Sequence, residues 1–273
     1  MSQFSGERGT SFDYQAALRL DGQRILVLGT GAGVGSNVAA ALSQAGAKVG
    51  CVDLVDKVAG AAAKRIDGYA LSCDVCNEES FRSMLSEAEQ KMGGVTGIVD
   101  VVARSKMGRL ASLSYIDWEE TFKGVIGHAF LALTAGAEVI ERNGGGALCF
   151  VGSNSGLSVV KGQAAYGSAK AALHHLVACA GAELGRKNIR VNAVAPSFIR
   201  NPRLEQWLTA DDWSAVIERI PMGRVATPAD VAATILFLMS PLAGHISGQT
   251  LAIDGGFTKV LQLPLLPWNR DVD

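Results

Sequence analysis

The chain has 273 residues, of which 48% are hydrophobic, and its formal net charge at pH 7 is -1. This length is sufficient for one large domain with a substantial core. The near-neutral balance excludes the basic surface of a nucleic-acid-binding or anionic-membrane-binding protein. The longest apolar run, near residues 231–239, is too short to span a bilayer, and the N-terminus lacks an apolar signal core. We therefore expect a soluble, cytoplasmic protein with no nucleic-acid or membrane partner.

Strand-like apolar segments alternate with helix-like segments along most of the chain. The predicted strands cover residues 24–28, 48–53, 69–73, 97–103, 147–151, 189–195 and 250–253. The predicted helices cover residues 36–45, 58–66, 78–92, 117–142, a segment around Tyr166, one or two short helices within 201–220, and 228–239. This alternation predicts a single-domain α/β fold of the Rossmann type, a doubly wound parallel sheet of about seven strands with helices on both faces. We assign residues 21–258 to this domain, 1–20 to an N-terminal tail and 259–273 to a C-terminal tail.

A glycine-rich turn connects the first strand to the first helix, with the sequence Gly29-Thr30-Gly31-Ala32-Gly33-Val34-Gly35. A strand, a glycine turn and a helix N-terminus in this order form a cradle for a pyrophosphate, because the glycines allow close backbone approach and the helix offers free N–H groups. An ordinary strand-to-helix turn with additional glycines is the alternative.

Asp53 ends the second predicted strand, 18 residues after Gly35. A carboxylate at this position accepts hydrogen bonds from the adenosine ribose and repels a 2′-phosphate, which favours NAD over NADP. A capping role for Asp53 is the alternative.

Tyr166 and Lys170 are four residues apart in an Ala-rich segment, and this spacing puts them on one face of a helix. A nearby ammonium favours the phenolate, so the pair is a candidate general acid/base. Ser153 follows a predicted strand, 13 residues before Tyr166, and could donate a hydrogen bond to a substrate oxygen. The alternatives are a solvated helix face for Tyr166 and Lys170 and a turn cap for Ser153.

Over about residues 21–258 the chain resembles the short-chain dehydrogenase/reductase family. The motifs that carry the resemblance are Gly29-x-x-x-Gly33-Val34-Gly35, Ser153, Tyr166-x-x-x-Lys170, Arg190-Val191-Asn192-Ala193-Val194-Ala195-Pro196 and Asp254-Gly255-Gly256. The resemblance implies that Ser153 polarises the substrate oxygen, that Tyr166 exchanges the proton, and that Lys170 lowers the tyrosine pKa and holds the nicotinamide ribose. The cofactor contacts implied by the residues and the resemblance together come from Gly29, Gly33, Val34, Gly35, Asp53, Asp74, Val75, Ala103, Tyr166, Lys170, Pro196 and Ile199. Of these, Asp74 and Val75 should flank the adenine ring, and Ile199 should lie against the nicotinamide.

The chain also departs from the family pattern. Leu28 replaces the usual Thr before the first glycine, and Ser197 replaces the Gly after Pro196. The family's Asn-Asn-Ala-Gly run corresponds to residues 101–104, where only Ala103 matches and where Arg104 brings a charge near the cofactor. The family's active-site Asn falls near Gly124 or Val125, so the usual water-linked proton relay behind the lysine is in doubt.

These observations predict an NAD(H)-dependent oxidoreductase that interconverts a secondary alcohol and a ketone. A 3-oxoacyl thioester reductase is one alternative, although Asp53 disfavours the NADPH that such enzymes mostly use. A non-catalytic NAD-binding sensor or scaffold is the other. The residues that hint at an apolar substrate are Phe198, Leu204, Trp207, Leu208 and Trp213, any of which could equally be core. Helices that are apolar on more than one face, together with the resemblance, imply a homotetramer.

The cysteines and histidines do not form a complete metal-ligand pattern. The chain has five cysteines, and Cys73 and Cys76 have the C-x-x-C spacing of redox and metal sites, but no second cysteine pair and no H-x-x-x-H motif accompanies them. We expect structural thiols and no metal site. The adjacent His174 and His175 point to different faces of their helix, so a packing or surface role is expected for them.

Overall fold

A seven-stranded parallel sheet forms the centre of the protein, in a computed structural model that describes residues 12–260. The strands are β1 Arg24–Leu28, β2 Lys48–Asp53, β3 Tyr69–Ser72, β4 Gly97–Asp100, β5 Gly146–Val151, β6 Ile189–Pro196 and β7 Thr250–Ile253. Their order in the sheet is β3-β2-β1-β4-β5-β6-β7, and every neighbouring pair is parallel. The predicted doubly wound parallel sheet is therefore confirmed.

Within residues 12–260, eight α-helices connect and cover the strands. They are α1 Val34–Gln44, α2 Asp56–Ile66, α3 Glu78–Met92, α4 Tyr115–Arg142, α5 Ala164–Leu184, α6 Pro202–Glu205, α7 Ala210–Ile217 and α8 Pro228–Met239. Side chains of α3, α4 and α5 pack on one face of the sheet, and side chains of α1, α2 and α8 pack on the other. Leu20 is buried in the second of these layers, so the segment before β1 also packs on the sheet.

Strand β4 is shorter than predicted, because it ends at Asp100 and not at Ala103. The Asp100 carboxylate accepts a hydrogen bond from the Val102 amide at 3.0 Å. A carboxylate that binds the amide two residues ahead turns the backbone away from the sheet ladder. Asp100 thus ends the strand and places its own side chain under the helices on that face.

Helix α4 is distorted at two places by π-helical turns, Lys123–Gly127 and Ala132–Gly136. Among residues 12–260, α4 is the one helix long and apolar enough to cross a membrane, yet 61% of its most apolar window is buried inside the domain. Packing against the sheet and α5 accounts for this apolar composition. The sequence analysis predicted this helix at residues 117–142, but it considered only residues 231–239 as a candidate membrane span.

Two residues of one quoted motif, Arg190 and Asn192, stabilise the connections at the far edge of the sheet. Arg190 donates to the carbonyl oxygens of Leu238 and Met239, at the C-terminal end of α8, where a cation offsets the helix dipole. Asn192 donates to the carbonyl of Ile246 at 2.8 Å and accepts from the Gln249 amide at 3.0 Å. These side chains fix the approach to β7 and do not reach the cleft described below.

Candidate active site

A cleft of about 350 Å³ opens at the carboxyl ends of β1, β2 and β4. Its lining residues are Gly29, Gly31, Ala32, Val34, Gly35, Asp53, Leu54, Cys73, Asp74, Val75, Cys76, Val101, Val102 and Arg104. β1 lies between β2 and β4, so the chain reverses its winding direction here, which is the position where doubly wound sheets bind ligands.

The glycine turn requires its glycines for two physical reasons. Gly29 and Gly33 have φ angles of +85° and +115°, a region that residues with a Cβ rarely adopt. A Cβ added to Gly35 would lie 1.9 Å from the Gly29 carbonyl oxygen. Helix α1 begins at Val34 directly after this turn, so its N-terminus faces the cleft. The glycine turn is therefore shaped for a pyrophosphate-sized anion against the backbone.

Asp53 lines the cleft at the end of β2 and is half-buried. One carboxylate oxygen accepts a hydrogen bond from the Val55 amide at 3.2 Å, which leaves the second oxygen for a ligand. Asp74 similarly accepts a hydrogen bond from the Cys76 amide at 3.0 Å, and Val75 is buried beside it. Asp53 therefore binds the Val55 amide in its own turn and also lines the cleft, as predicted.

Lys170 contacts both Tyr166 and the end of β5, the strand that leads into the Ser153 loop. Lys170 is 1% exposed, and its Nζ lies 5.8 Å from the centroid of the Tyr166 ring. The ammonium donates to the Val151 carbonyl at 2.6 Å, and this bond fixes it beneath the loop that carries Ser153. The Ser153 hydroxyl accepts from the Ser155 amide at 3.1 Å and is 7% exposed. Ser153 is therefore a turn cap at the same position where the sequence predicts a hydrogen-bond donor.

Lys170 carries a charge in an enclosed environment. Burial lowers the pKa of Lys170 to about 8, and the negative charge of Asp100 partly opposes this shift. The ammonium is therefore still mostly protonated at neutral pH and can stabilise an adjacent phenolate.

Sequence reasoning gave His174 a packing or surface role and missed its contact with the serine loop. His174 follows Lys170 by one helical turn, and its Nε2 accepts a hydrogen bond from the Ser153 amide at 3.4 Å. Burial, reinforced by the Lys170 charge, lowers the pKa of His174 to about 4. The ring is neutral at neutral pH, so Nε2 is free to accept. The i, i+4 spacing from Lys170 was the available signal.

His174 should make protein stability depend on pH in the acidic range. Its folded-state pKa lies below the unfolded value of 6.5, so the unfolded chain binds the proton first. The stabilisation is complete above pH 6.5 and is lost as the pH falls from 6.5 to about 4. Urea unfolding at several pH values should show this decrease in the wild type and a smaller one in His174→Gln.

His175→Gln is the matched control for this measurement, since His175 is the exposed neighbour on the same helix. We expect the control to keep the wild-type pH dependence. A His174→Gln protein whose free energy of unfolding follows the wild-type curve between pH 6.5 and 4 would contradict the assignment.

Comparison with known proteins agrees with this geometry. A family model described as "Enoyl-(Acyl carrier protein) reductase" matches residues 29–258. The chain is 31% identical over 253 residues to 2-(S)-hydroxypropyl-CoM dehydrogenase 3 of Xanthobacter autotrophicus, covering 89% of this chain and 99% of that protein. The chain belongs to the short-chain dehydrogenase/reductase family, a family of oxidoreductases.

Further relatives within the short-chain dehydrogenase/reductase family include a steroid enzyme. The chain is 30% identical to the 7alpha-hydroxysteroid dehydrogenase of Escherichia coli K12, covering 88% of this chain and 95% of that protein. A solved structure of 7 alpha-hydroxysteroid dehydrogenase, complexed with NADH and 7-oxo glycochenodeoxycholic acid, superposes with a TM-score of 0.85 at 30% identity. That match covers 90% of this chain and 98% of the solved one.

Two of the departures from the family pattern, in the loop after β4 and at Gly124, have a packing explanation in this short-chain dehydrogenase/reductase. A Cβ on Gly29 would lie 2.9 Å from a methyl group of Val102 and 3.3 Å from one of Val101, so these valines pack directly on the glycine turn. A Cβ on Gly124 would lie 2.3 Å from the Arg104 carbonyl oxygen. No side chain fits at Gly124, and helix α4 therefore approaches the loop after β4 more closely than a larger residue would allow.

Several predicted cofactor contacts do not line the cleft. Ala103 is exposed, Pro196 is buried at the end of β6, and Ile199 packs in the core layer shared with α1 and α8. The predicted contact of Ile199 with the nicotinamide stays a prediction. Sequence reasoning did not assign Cys73 and Cys76 to the cleft that they line.

The apolar residues after β6 that suggested an apolar substrate differ in how deeply they are buried. Trp213 is 5% exposed and forms a small satellite core with Ile220 and Val225, so it is a packing residue. Phe198, Leu204 and Leu208 are half-buried and pack against the same cluster. Trp207, by contrast, is 66% exposed.

The cysteines carry no disulfide in the part of the chain that the structure describes, which includes all five. Burial raises the pKa of the Cys73 and Cys76 thiols, so both are poor nucleophiles at neutral pH.

Proposed function

We propose that this protein is an NAD(H)-dependent oxidoreductase that interconverts a secondary alcohol and a ketone. The observation that carries the proposal is the buried Lys170 ammonium, fixed 5.8 Å from the Tyr166 ring and beneath the Ser153 loop. The glycine turn and the cleft that opens beside it support the proposal. The two curated relatives reported above are both named as dehydrogenases.

The protein residues supply position and proton transfer. Ser153 donates a hydrogen bond to the substrate oxygen and polarises it. Tyr166, as the phenolate, accepts the hydroxyl proton at Oη during oxidation and returns it during reduction. Lys170 keeps the phenolate accessible at neutral pH through its charge. The bound nicotinamide cofactor supplies the hydride acceptor or donor, and the glycine turn and Asp53 hold it.

The cofactor that we infer is NAD, because Asp53 puts a negative charge where NADP carries its 2′-phosphate. Arg104 is the only cation that lines the cleft within the described residues 12–260. We infer that Arg104 faces the bound dinucleotide and offsets part of its negative charge.

Asp53→Asn should relax the preference for NAD. Asn keeps an oxygen that can accept the Val55 amide, so the turn is preserved while the charge is removed. We expect the ratio of kcat/KM for NAD to that for NADP to fall by about tenfold or more, since repelling a like charge in a partly buried site is worth roughly 1–2 kcal/mol.

Asp56→Asn is the control, since Asp56 is the exposed carboxylate at the start of α2 and does not line the cleft. Its ratio should equal that of the wild type. If Asp53→Asn keeps the wild-type ratio of kcat/KM for NAD to kcat/KM for NADP, Asp53 does not select the cofactor and only stabilises its turn.

An apolar substrate is the class we favour. Side chains of Val159, Trp207 and Met222, in the segments that flank the active site, are between 65% and 96% exposed. One relative acts, by its name, on a hydroxysteroid, and such a ligand is apolar. Turnover rates with steroid alcohols and with sugar alcohols at equal concentration test the proposed substrate class. Faster turnover of the sugar alcohols would reject an apolar substrate.

We also infer a homotetramer in the cytoplasm. Large apolar side chains on α4 stay exposed, including Tyr115, Ile116 and Phe130, and such a face is normally covered by another protein surface. A reducing compartment would keep the five thiols in the unpaired state. Light scattering should give about four times the mass of the chain, and a monomeric mass would reject the assembly.

Reduction of a 3-oxoacyl thioester is a second candidate, because the matching family model is described as a reductase of acyl-carrier-protein substrates. Turnover of an acetoacetyl thioester with NADH and with NADPH separates the two. A marked preference for NADPH and the thioester would favour this second function.

A further inference from the structure

Two ionisable side chains form a buried pair behind the active site. Asp100, at the end of β4, and His128, in α4, are 2% and 1% exposed. Oδ2 of Asp100 lies 2.5 Å from Nδ1 of His128. Burying such groups is costly unless they are paired, and a hydrophobic pair would pack as well in a core. The pair therefore needs an explanation beyond packing.

His128 fixes the direction of the Asp100 carboxylate. Nδ1 faces Oδ2 of Asp100, and a carboxylate oxygen can only accept, so Nδ1 donates its hydrogen to Asp100. Nε2 lies 3.2 Å from the Gly124 carbonyl oxygen. Gly124 belongs to the π-helical turn that directly precedes His128, and π-turns are frequent at functional sites.

Asp100 lies close to Lys170. The register of the sheet pairs Asp100 with Phe150, and the next residue on β5, Val151, accepts the hydrogen bond from the Lys170 ammonium. Adjacent strands are about 4.8 Å apart, and α4 and α5 cover the same face of the sheet. The Asp100 charge raises the pKa of Lys170 against the larger lowering by burial.

We propose that Asp100 and His128 are positioning residues for the Tyr166 and Lys170 pair, and that the buried carboxylate of Asp100, fixed by His128, keeps the Lys170 ammonium charged. The role rests on the proposed dehydrogenase function. Asp100 supplies the negative charge, and His128 keeps the carboxylate hydrogen-bonded and fixed in direction.

The other charged groups around Lys170 and Asp100 do not supply this charge. On α5, Tyr166 is the acid/base that Lys170 serves, and His174 is held neutral by burial and by the Lys170 charge. Near the cleft, Cys76 interacts electrostatically with Arg104, Asp74, Lys123 and Asp100, and of these four Asp100 is the one that also acts on Lys170. Two of these are cations, and the burial of the Cys76 thiol keeps it neutral. Asp100 is thus the anion available to Lys170.

Asp100→Asn tests the proposal, because Asn has the same shape and lacks the charge. For alcohol oxidation, the loss of activity at high pH should begin about one pH unit lower than in the wild type, since Lys170 loses its proton earlier. NADH binding in mildly acidic buffer, where Lys170 stays protonated in both proteins, should be unchanged.

A readout that needs no turnover is the ionisation of Tyr166. The tyrosinate absorbance of Tyr166 is obtained by subtraction. At each pH, the absorbance of the Tyr166→Phe version of a protein is subtracted from that of the same protein with Tyr166. We expect Tyr166 to ionise at higher pH in the Asp100→Asn background. If the wild type turns over no substrate, the proposed function fails while this titration still decides the role of Asp100.

The variant Asp100→Leu/His128→Leu covers the case in which Asp100→Asn does not fold, because an apolar pair can replace a buried ionic one. This double variant should show the same shifts as Asp100→Asn in the pH profile of activity and in the pH at which Tyr166 ionises. Glu138→Gln, on the exposed side of α4, is the control and should match the wild type. A folded variant with altered stability but with the wild-type pH profile and Tyr166 titration would overturn the proposal and leave a structural role.

Discussion

Replacing Tyr166 with Phe should reduce kcat by about 10²–10⁴-fold, the usual contribution of a positioned acid/base. The ring and its contact with Lys170 are retained, and only Oη is removed. Dinucleotide affinity should change little, because the cleft at β1, β2 and β4 does not include the Tyr166 ring. Steady-state kinetics of alcohol oxidation, together with NADH fluorescence titration, measures both effects.

Tyr115→Phe is the matched control for that experiment, since Tyr115 is 74% exposed at the start of α4. Its kcat should equal the wild-type value. A Tyr166→Phe protein that keeps most of the wild-type turnover would exclude the phenol as the acid/base.

Gly35→Ala should weaken cofactor binding by about tenfold or more with a smaller effect on the fold. The new Cβ would lie 1.9 Å from the Gly29 carbonyl oxygen and 3.1 Å from Cα of Thr30, and both are backbone atoms that cannot rotate away. The glycine turn must shift. We expect the Kd for NADH to rise by about tenfold or more and the free energy of unfolding to fall by about 1–3 kcal/mol, as for other overpacked sites.

Gly60→Ala is the control, because it shows what a Gly-to-Ala change in a helix does away from the glycine turn. Nothing lies within 4 Å of a Cβ at Gly60, and the residue is in the middle of α2. Alanine there should stabilise the protein by roughly 0.5–1 kcal/mol and leave NADH affinity unchanged. Wild-type NADH affinity in Gly35→Ala would show that the glycine turn does not hold the dinucleotide.

The parts of the molecule that the sequence predicted are those with a local signal. The period of apolar segments gave the strands and helices, and the glycine turn gave the cleft, because its chemistry is contained in seven adjacent residues. Tyr166 and Lys170 are one helical turn apart. Their relation to each other, like that of Lys170 to His174, depends only on helix geometry.

The parts that it missed depend on contacts between distant segments. Asp100 and His128 are 28 residues apart, and each is a single polar residue in an apolar run. Nothing local shows that the two side chains meet. The early end of β4 has the same cause, because Asp100 turns the backbone. Trp213 was ambiguous for another reason, since an aromatic side chain suits a core and a binding surface equally well.

A sensor or scaffold that binds NAD without turnover is the alternative that this geometry disfavours most strongly, because such a protein needs no buried Lys170 beside a phenol. The most direct test is to titrate the purified protein with NADH and then to incubate it with NAD and a panel of secondary alcohols, including hydroxysteroids, following NADH absorbance. We expect saturable NADH binding and NADH production with at least one alcohol, lost in Tyr166→Phe. Saturable binding without turnover of any alcohol or of the matching ketones with NADH would identify a sensor, and absence of binding would contradict the dinucleotide site itself.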